Sequence, residues 1–180
     1  EHISTVLMKR YPLSFVDVRN LKDNKDLIER FFSTYNETFR KVPYFVPLTD
    51  REIEVLGKSY IKLLKPEINC FVMDDKRRIA AYGICFPSMS EGYKKAKGRL
   101  FPFGWYHLLK ALKAKRMTDF DLLLIAVRPD YQDKGVTALI FNEMTPHFTK
   151  YGVQRIETTA ILENNHKSLA NFADYDHIQH

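Results

Sequence analysis

The sequence predicts a mixed helix–sheet chain, α+β in class with α/β character, and three stretches carry that prediction. Residues 122–127 form an unbroken apolar run, too short for a membrane span and of the right length for a buried strand. A polar turn and Gly135 follow. Leu139, Ile140, Met144, Phe148 and Tyr151 then recur at helical spacing. Residues 68–73 and 78–86 are two strand-like runs around the turn residues Asp74, Asp75, Lys76 and Arg77, which is a hairpin signature.

The remaining elements follow in order. Residues 1–12 are weakly patterned and read as a linker or a strand from an upstream part; 13–180 read as a single domain. Residues 13–18 alternate enough for a first strand. Asp23 can cap a helix carrying Leu27, Ile28, Phe31, Phe32 and Tyr35 as one apolar stripe. Val42, Pro43, Tyr44, Phe45, Val46 and Pro47 form an extended aromatic loop bracketed by prolines. Thr49 and Glu52 spell a capping box for a helix closed by Pro66. Residues 88–99 are a polar, lysine-bearing excursion, and 100–116 hold a helix with Trp105, Leu108, Leu109 and Leu112 on one face. Pro146 should kink or shorten the helix after Gly135. Residues 155–161 read as a strand, and 163–175 as a short helix capped by Asn164 or Asn165.

Composition bounds the rest. The 180 residues are 45% hydrophobic and 13% aromatic, enough for one domain with a substantial core and against disorder. No stretch is long enough for a membrane helix and no secretory leader is evident. The chain does not begin with Met and reads as a fragment of a longer protein. Cys70 and Cys85 fall in strand-like runs as buried reduced thiols, and a cytoplasmic setting fits. His166, His177 and His180 do not follow a zinc spacing, so no metal is expected. The net charge is +6, much of it in Lys94, Lys95, Lys97, Arg99, Lys110, Lys113, Lys115 and Arg116. Such a cluster suits nucleic acid, a membrane surface or an anionic cofactor, and a solvated helical face is its plainest reading. No membrane partner is therefore expected, and nucleic acid is disfavoured.

The strand–turn–helix unit has chemical meaning. The first N–H groups of a helix lack internal acceptors and its dipole makes that end positive, so a turn there can cradle a phosphate or serve as an ordinary connection. The run Val127, Pro129, Tyr131, Gln132, Gly135, Thr137, Ala138 resembles the acetyl-CoA motif of the GCN5-related N-acetyltransferases. That motif reads Q/R-x-x-G-x-G/A after a strand ending in V-x-P. Gln132 and Gly135 match, whereas Thr137 stands where glycine or alanine is expected. Residues 97–104 and 163–167 are similar to the C-terminal half of longer, tandem bacterial proteins of this kind.

The resemblance implies a mostly antiparallel, twisted mixed sheet flanked by helices and splayed at its central strand. It implies an acyl-CoA, acetyl-CoA first, as co-substrate, with an amine of a small molecule as acceptor. The pantetheine arm would pair with backbone near Ile125 and Val127. The pyrophosphate would sit on the amides of Gln132, Asp133, Lys134, Gly135, Val136 and Thr137, with Asn165 also on the cofactor. Ala126 would offer a backbone N–H to the thioester carbonyl. Tyr44, Phe45 and Tyr60 would line the acceptor side. The family's acid position falls on Phe172, which carries no proton, so Tyr175 stands in. Asp119, Asp121 and Glu157 are the strand-borne carboxylates available as a base, and a strand-end surface charge is the plainer reading of any single one. The insertion at 88–118 departs from the minimal family fold. Two final strands of that fold are missing, lying beyond His180 or absent from this subgroup. A second acetyltransferase-like half in a longer chain is expected beside it. The alternative is a non-catalytic regulatory or interaction domain of the same fold.

Overall fold

A computed structural model describes residues 2–21, 25–59, 64–112, 118–173 and 175–179. The order is α1 (His2–Arg10), β1 (Leu13–Phe15), a 3₁₀ turn (Val18–Leu21), α2 (Lys25–Phe39), α3 (Asp50–Ser59), a second 3₁₀ turn (Pro66–Ile68) and the hairpin β2 (Cys70–Asp74) and β3 (Ile79–Pro87). There follow α4 (Ser90–Ala96), α5 (Gly104–Leu112), β4 (Asp119–Val127), a 3₁₀ turn (Pro129–Tyr131), α6 (Thr137–Tyr151), β5 (Arg155–Thr158) and α7 (His166–Ala170).

The five strands lie in the sheet in chain order. β1–β2, β2–β3 and β3–β4 pair antiparallel, and β4–β5 pair parallel. Helices cover both faces. On one, α1 and α6 pack over Leu13, Cys70, Val72, Cys85, Phe120 and Leu122 through Leu139, Ile140 and Met144. On the other, Leu27, Phe31 and Phe32 of α2 pack over Phe71, Tyr82, Ile84 and Ala126. Each buried Leu, Ile, Val, Phe or Met among them contributes roughly 1.5–3 kcal/mol. Gly83 allows α6 its close approach: a Cβ there would stand 2.5 Å from Ile140 Cγ2 and 2.8 Å from Met144 Sδ.

Several expectations are revised. Residues 2–10 are a helix, not a linker or strand; Leu7, Met8 and Tyr11 pack on the core, and Asn142 Nδ2 donates to Ser4 Oγ at 2.9 Å. The stretch 88–99 is not a bare excursion but contains α4. Pro146 does not interrupt α6, which runs unbroken to Gly152 in the left-handed conformation. β5 and α7 are shorter than expected. The capping box forms: Thr49 N–H donates to Glu52 Oε2 at 2.8 Å and Glu52 N–H to Thr49 Oγ1 at 3.4 Å. The expected cap Asp23, the acceptor-side Tyr60, and Lys113, Lys115 and Arg116 lie outside the described residues.

One ion pair ties the sheet together at the end where β4 leaves it. Arg128, 1% exposed, donates from Nη2 to Asp74 Oδ2 at 2.7 Å and from Nη1 to the Ile79 carbonyl at 3.1 Å. Its Nε reaches Asp130 Oδ1 at 2.6 Å. Burial pushes the Asp74 carboxyl up, but hydrogen bonds from Arg128 and from the Arg78 N–H outweigh it, and the group sits below the usual carboxylate range. The stability it contributes is therefore full at neutral pH and is lost as pH falls through that lowered value. Truncation removes the fully buried carboxylate and leaves the guanidinium to Asp130 and the Ile79 carbonyl. Asp74→Ala should cost about 3–5 kcal/mol in denaturant unfolding at pH 7 and progressively less as pH falls through the lowered value, where the wild-type carboxyl takes up its proton; a loss that does not change with pH would refute the assignment.

Candidate functional site

The candidate site lies along β4 where its pairing with β5 stops, the edge on which a cleft would open. β5 pairs with β4 only from Asp119 opposite Arg155 to Leu122 opposite Thr158. A β-bulge sits at that point: Ile84 faces Leu124 and Cys85 faces Leu122, leaving Leu123 as an extra residue. Thr159 N–H then donates to the Leu122 carbonyl at 3.2 Å, and Thr159 Oγ1 to the Leu123 carbonyl at 3.0 Å.

The bulge changes which backbone groups of β4 are free. Before it, the Leu122 carbonyl faces β5. After it, Arg128 N–H donates to the Ala80 carbonyl at 2.8 Å. Antiparallel ladders alternate, so the Ala126 N–H also points to β3, opposite Tyr82, while those of Ile125 and Val127 point to the open side. This corrects the expected role of Ala126. Its N–H is committed to the ladder, and the cleft-facing donors are Ile125 and Val127. The one-residue shift of parity was invisible in an apolar run.

Beyond β4 the chain makes the turn expected to hold phosphate. Gln132 Nε2 donates to the Val127 carbonyl at 3.0 Å, closing the strand end, and Gln132 N–H turns back to Pro129 O at 3.4 Å. Gln132 is thus an architectural part of the turn rather than one of its free amides. Asp133 has φ 60° and Gly135 φ 74°. Only glycine takes the second conformation without strain, and a Cβ would find nothing nearer than Leu7 at 3.9 Å. Among the described residues no protein acceptor takes the N–H groups of Asp133, Lys134, Gly135, Val136 or Thr137. Consecutive free amides at a helix start are what an anion needs. Lys134 Nζ lies 5.2 Å from the Tyr11 ring centroid and 5.4 Å from that of Tyr131, and Lys167 Nζ neutralises the Asp133 carboxylate at 2.7 Å.

The other expected residues are more scattered. Asn165 caps α7, its Oδ1 accepting from Ser168 N–H at 3.2 Å, which leaves its NH₂ as a donor. Tyr175 is half exposed, its ring 5.9 Å from Phe141 of α6, and Phe172 packs on the same ring at 6.2 Å. Phe45 is held against α2 by Tyr35 and Phe39, and Asn36 clasps Leu48 through two hydrogen bonds; Tyr44 points fully into solvent. The cavity of about 270 Å³ beside Ser14, Phe15, Asp26 and Arg30 is at the opposite edge of the sheet from β5 and is not part of this cleft.

The three strand carboxylates separate electrostatically. Asp119 is engaged by Arg155, whose hydrogen bond, with that of Thr118, holds it below its ordinary value. Asp121 is raised, chiefly by burial and further by the nearby Glu157 and Asp119 carboxylates, against a lowering hydrogen bond from Ser88. It faces the α2–α3 side just before the bulge, across from Glu157 on β5. Cys85 is buried and its thiol is pushed up to about 12 by burial, which removes it as an acyl-carrying nucleophile.

No family model matches the sequence. The chain is 28% identical over 125 residues to Protein YghO of Escherichia coli, covering 67% of this chain and 32% of that protein. It is 31% identical over 134 residues to the bacterial ceramide synthase of Caulobacter vibrioides, covering 72% of this chain and 34% of the synthase. The chain thus spans about a third of the length of the curated relatives it matches. In structure it is similar to the ribosomal-protein-S18-alanine N-acetyltransferase of Escherichia coli, with TM-score 0.54 at 12% identity over 93% of this chain and 79% of that one. It is also similar to the diaminobutyrate acetyltransferase of Paenibacillus lautus, solved with its substrate and coenzyme A, with TM-score 0.53 at 12% identity over 90% of this chain and 73% of that one. These structural likenesses show the fold: the chain has that of the GCN5-related N-acetyltransferases.

Proposed function

We propose that this chain is an acyl-CoA-dependent N-acyltransferase domain that hands an acyl group, acetyl or longer, to the amine of a small-molecule acceptor. The observation that carries the reading is the row of unpaired amides from Asp133 to Thr137 at the end of a strand whose Ile125 and Val127 edge is open. The pyrophosphate would rest on the first and the pantetheine amides would pair with the second, with the Asn165 NH₂ as a further donor. The relative named a ceramide synthase supports the chemistry, since a ceramide is an amino alcohol acylated on nitrogen. A second acetyltransferase-like half in a longer chain belongs to the same reading, in keeping with the third of the relatives' length that this chain spans.

In the reaction the acceptor nitrogen bonds to the thioester carbon, the C–S bond breaks, and CoA departs as a thiolate that takes up a proton. The Ile125 N–H would donate to the carbonyl oxygen as negative charge develops there. Asp121 is the base that would take a proton from the acceptor ammonium, because its raised pKa keeps the carboxyl a better acceptor than Asp119. Tyr44 and Phe45 stay in the reading as acceptor-side residues, and Tyr175 as the acid. A second reading, a cofactor-binding but non-catalytic domain, is favoured by Phe172 at the acid position and by the packing of Tyr175 on Phe141. Release of free thiol from acyl-CoA in the presence of an amine separates the two.

Two outcomes test the proposal. Calorimetric titration should show acetyl-CoA or a longer acyl-CoA binding, weakened about hundredfold or more in Gly135→Glu, where bulk, a carboxylate and a strained φ meet the diphosphate. Unchanged affinity would reject the site. Asp121→Asn should lower kcat by about 100-fold or more with cofactor affinity retained. The wild-type rate should fall as pH drops through a pKa above the ordinary carboxylate value, because the base must be ionised. A flat acid limb, or full activity in Asp121→Asn, would remove Asp121 from the mechanism.

A further inference from the structure

The insertion between β3 and β4 is the part of the chain that the acyltransferase reading leaves unused. It leaves the sheet at Pro87, whose partner is Phe120, and Ser88 N–H donates to the Asp119 carbonyl at 3.0 Å. α4 and α5 pack on each other as a hairpin. The connection between them is ordered. Lys97 takes the left-handed conformation, Arg99 N–H bonds Ala96 O at 2.9 Å, Trp105 N–H bonds Leu100 O at 3.0 Å, and Trp105 Nε1 bonds Pro102 O at 3.0 Å.

This folded tip turns its apolar side chains outward. Phe101 is 81% and Phe103 71% exposed, and Leu100, Trp105, Tyr106 and Leu109 are exposed beside them. The hairpin also carries Lys94, Lys95, Lys97, Arg99 and Lys110 against one acidic residue, Glu91, which pairs with Lys94 at 3.2 Å. Scattered exposed apolar residues are ordinary, but a compact cluster of them is a docking surface. Apolar and aromatic side chains at a tip, with indole and phenol groups beside them and cations around the rim, are the composition of an interfacial membrane contact. Phe and Leu enter the acyl boundary, Trp and Tyr sit at headgroup depth, and Lys and Arg meet lipid phosphates while their stems lie on apolar surface.

We propose that the α4–α5 hairpin docks this domain on an anionic membrane surface, with Phe101 and Phe103 inserted and the five basic side chains on headgroup phosphates. No helix among the described residues is long and apolar enough to cross a membrane, and the contact proposed here is one of side chains with the lipid surface. A nucleic-acid duplex would meet the same charge but would leave Leu100, Phe101 and Phe103 unburied. The position suits the chemistry as well, a point that rests on the acyltransferase reading. The hairpin springs from the Asp119 end of β4, opposite the amide-lined turn, so a cofactor laid along β4 from that turn directs its acyl end toward the hairpin. An amphipathic amine held at a lipid surface would reach the thioester from there.

The chain's single tryptophan, Trp105, reports directly on the tip. The 180-residue protein should shift its tryptophan emission to the blue and co-sediment with vesicles of equal phosphatidylcholine and phosphatidylglycerol, but not with phosphatidylcholine alone. Binding should weaken with salt. Phe101→Ser/Phe103→Ser and, separately, Lys94→Glu/Lys95→Glu/Lys97→Glu should each weaken vesicle binding about tenfold or more, with circular dichroism and CoA affinity unchanged. No shift and no co-sedimentation would overturn the proposal. So would a blue shift that depends on protein concentration without vesicles, which marks a contact between copies, or tight duplex DNA binding that Phe101→Ser/Phe103→Ser leaves intact. CoA titration of the same samples keeps the two readings apart, since loss of CoA binding would sink the transferase and leave the vesicle result standing.

Discussion

The structure depends on where the chain goes after β4, and Arg128 decides that. A guanidinium almost wholly out of water is tolerated because the β2 carboxylate of Asp74, the turn carboxylate of Asp130 and the Ile79 carbonyl all meet it. Desolvating such a charge costs several kcal/mol, and the multiple short contacts offset it. The Tyr131 ring, 5.0 Å from the guanidinium carbon, covers the remaining face. Two strands and the following turn are thereby fixed to one point. The free amides that come next are held in place before any ligand arrives, which lowers the ordering cost of binding.

The second constraint is one extra residue. Leu123 shifts the parity of β4, so the same strand pairs with β3 along its length and with β5 only up to Leu122. Without the bulge, β5 could continue its pairing and the edge at Ile125 and Val127 would be consumed by the sheet. With it, backbone polar groups are left facing a cleft, an arrangement that a folded protein tolerates where solvent or a ligand can satisfy them. Held by Arg128 at one end and opened by Leu123 in the middle, β4 is a core strand towards β3 and an unpaired edge beyond Leu122.

The sequence was most informative where local chemistry sets the conformation. The apolar run, Pro129 and Gly135 announced β4, its turn and α6, and Thr49 with Glu52 announced the start of α3. The hairpin turn was readable from Asp74 to Arg77 for the same reason. Tertiary effects were hidden. α1 has a weak apolar pattern and takes its place through Leu7, Met8 and Tyr11 packed on the core. Residues 90–96 look like a solvated loop, yet form α4 because Gly92 and Ala96 are small enough to be buried. The bulge left no mark in a run of three leucines, so Ala126 was given a role that register denies it. Nor did spacing rank Asp121 above Asp119, because the difference comes from burial, which raises Asp121, and from Arg155 on another strand, which lowers Asp119.

The most direct test of the account is an amide-resolved titration of the isotopically labelled protein with CoA, followed by heteronuclear NMR. The largest shifts should fall on Asp133 to Thr137 and on Ile125 and Val127, with Ala126 and the β1–β2 edge little affected. Shifts centred on another surface, or none at saturating CoA, would contradict the claim that the strand edge and the amide turn together form the cofactor site.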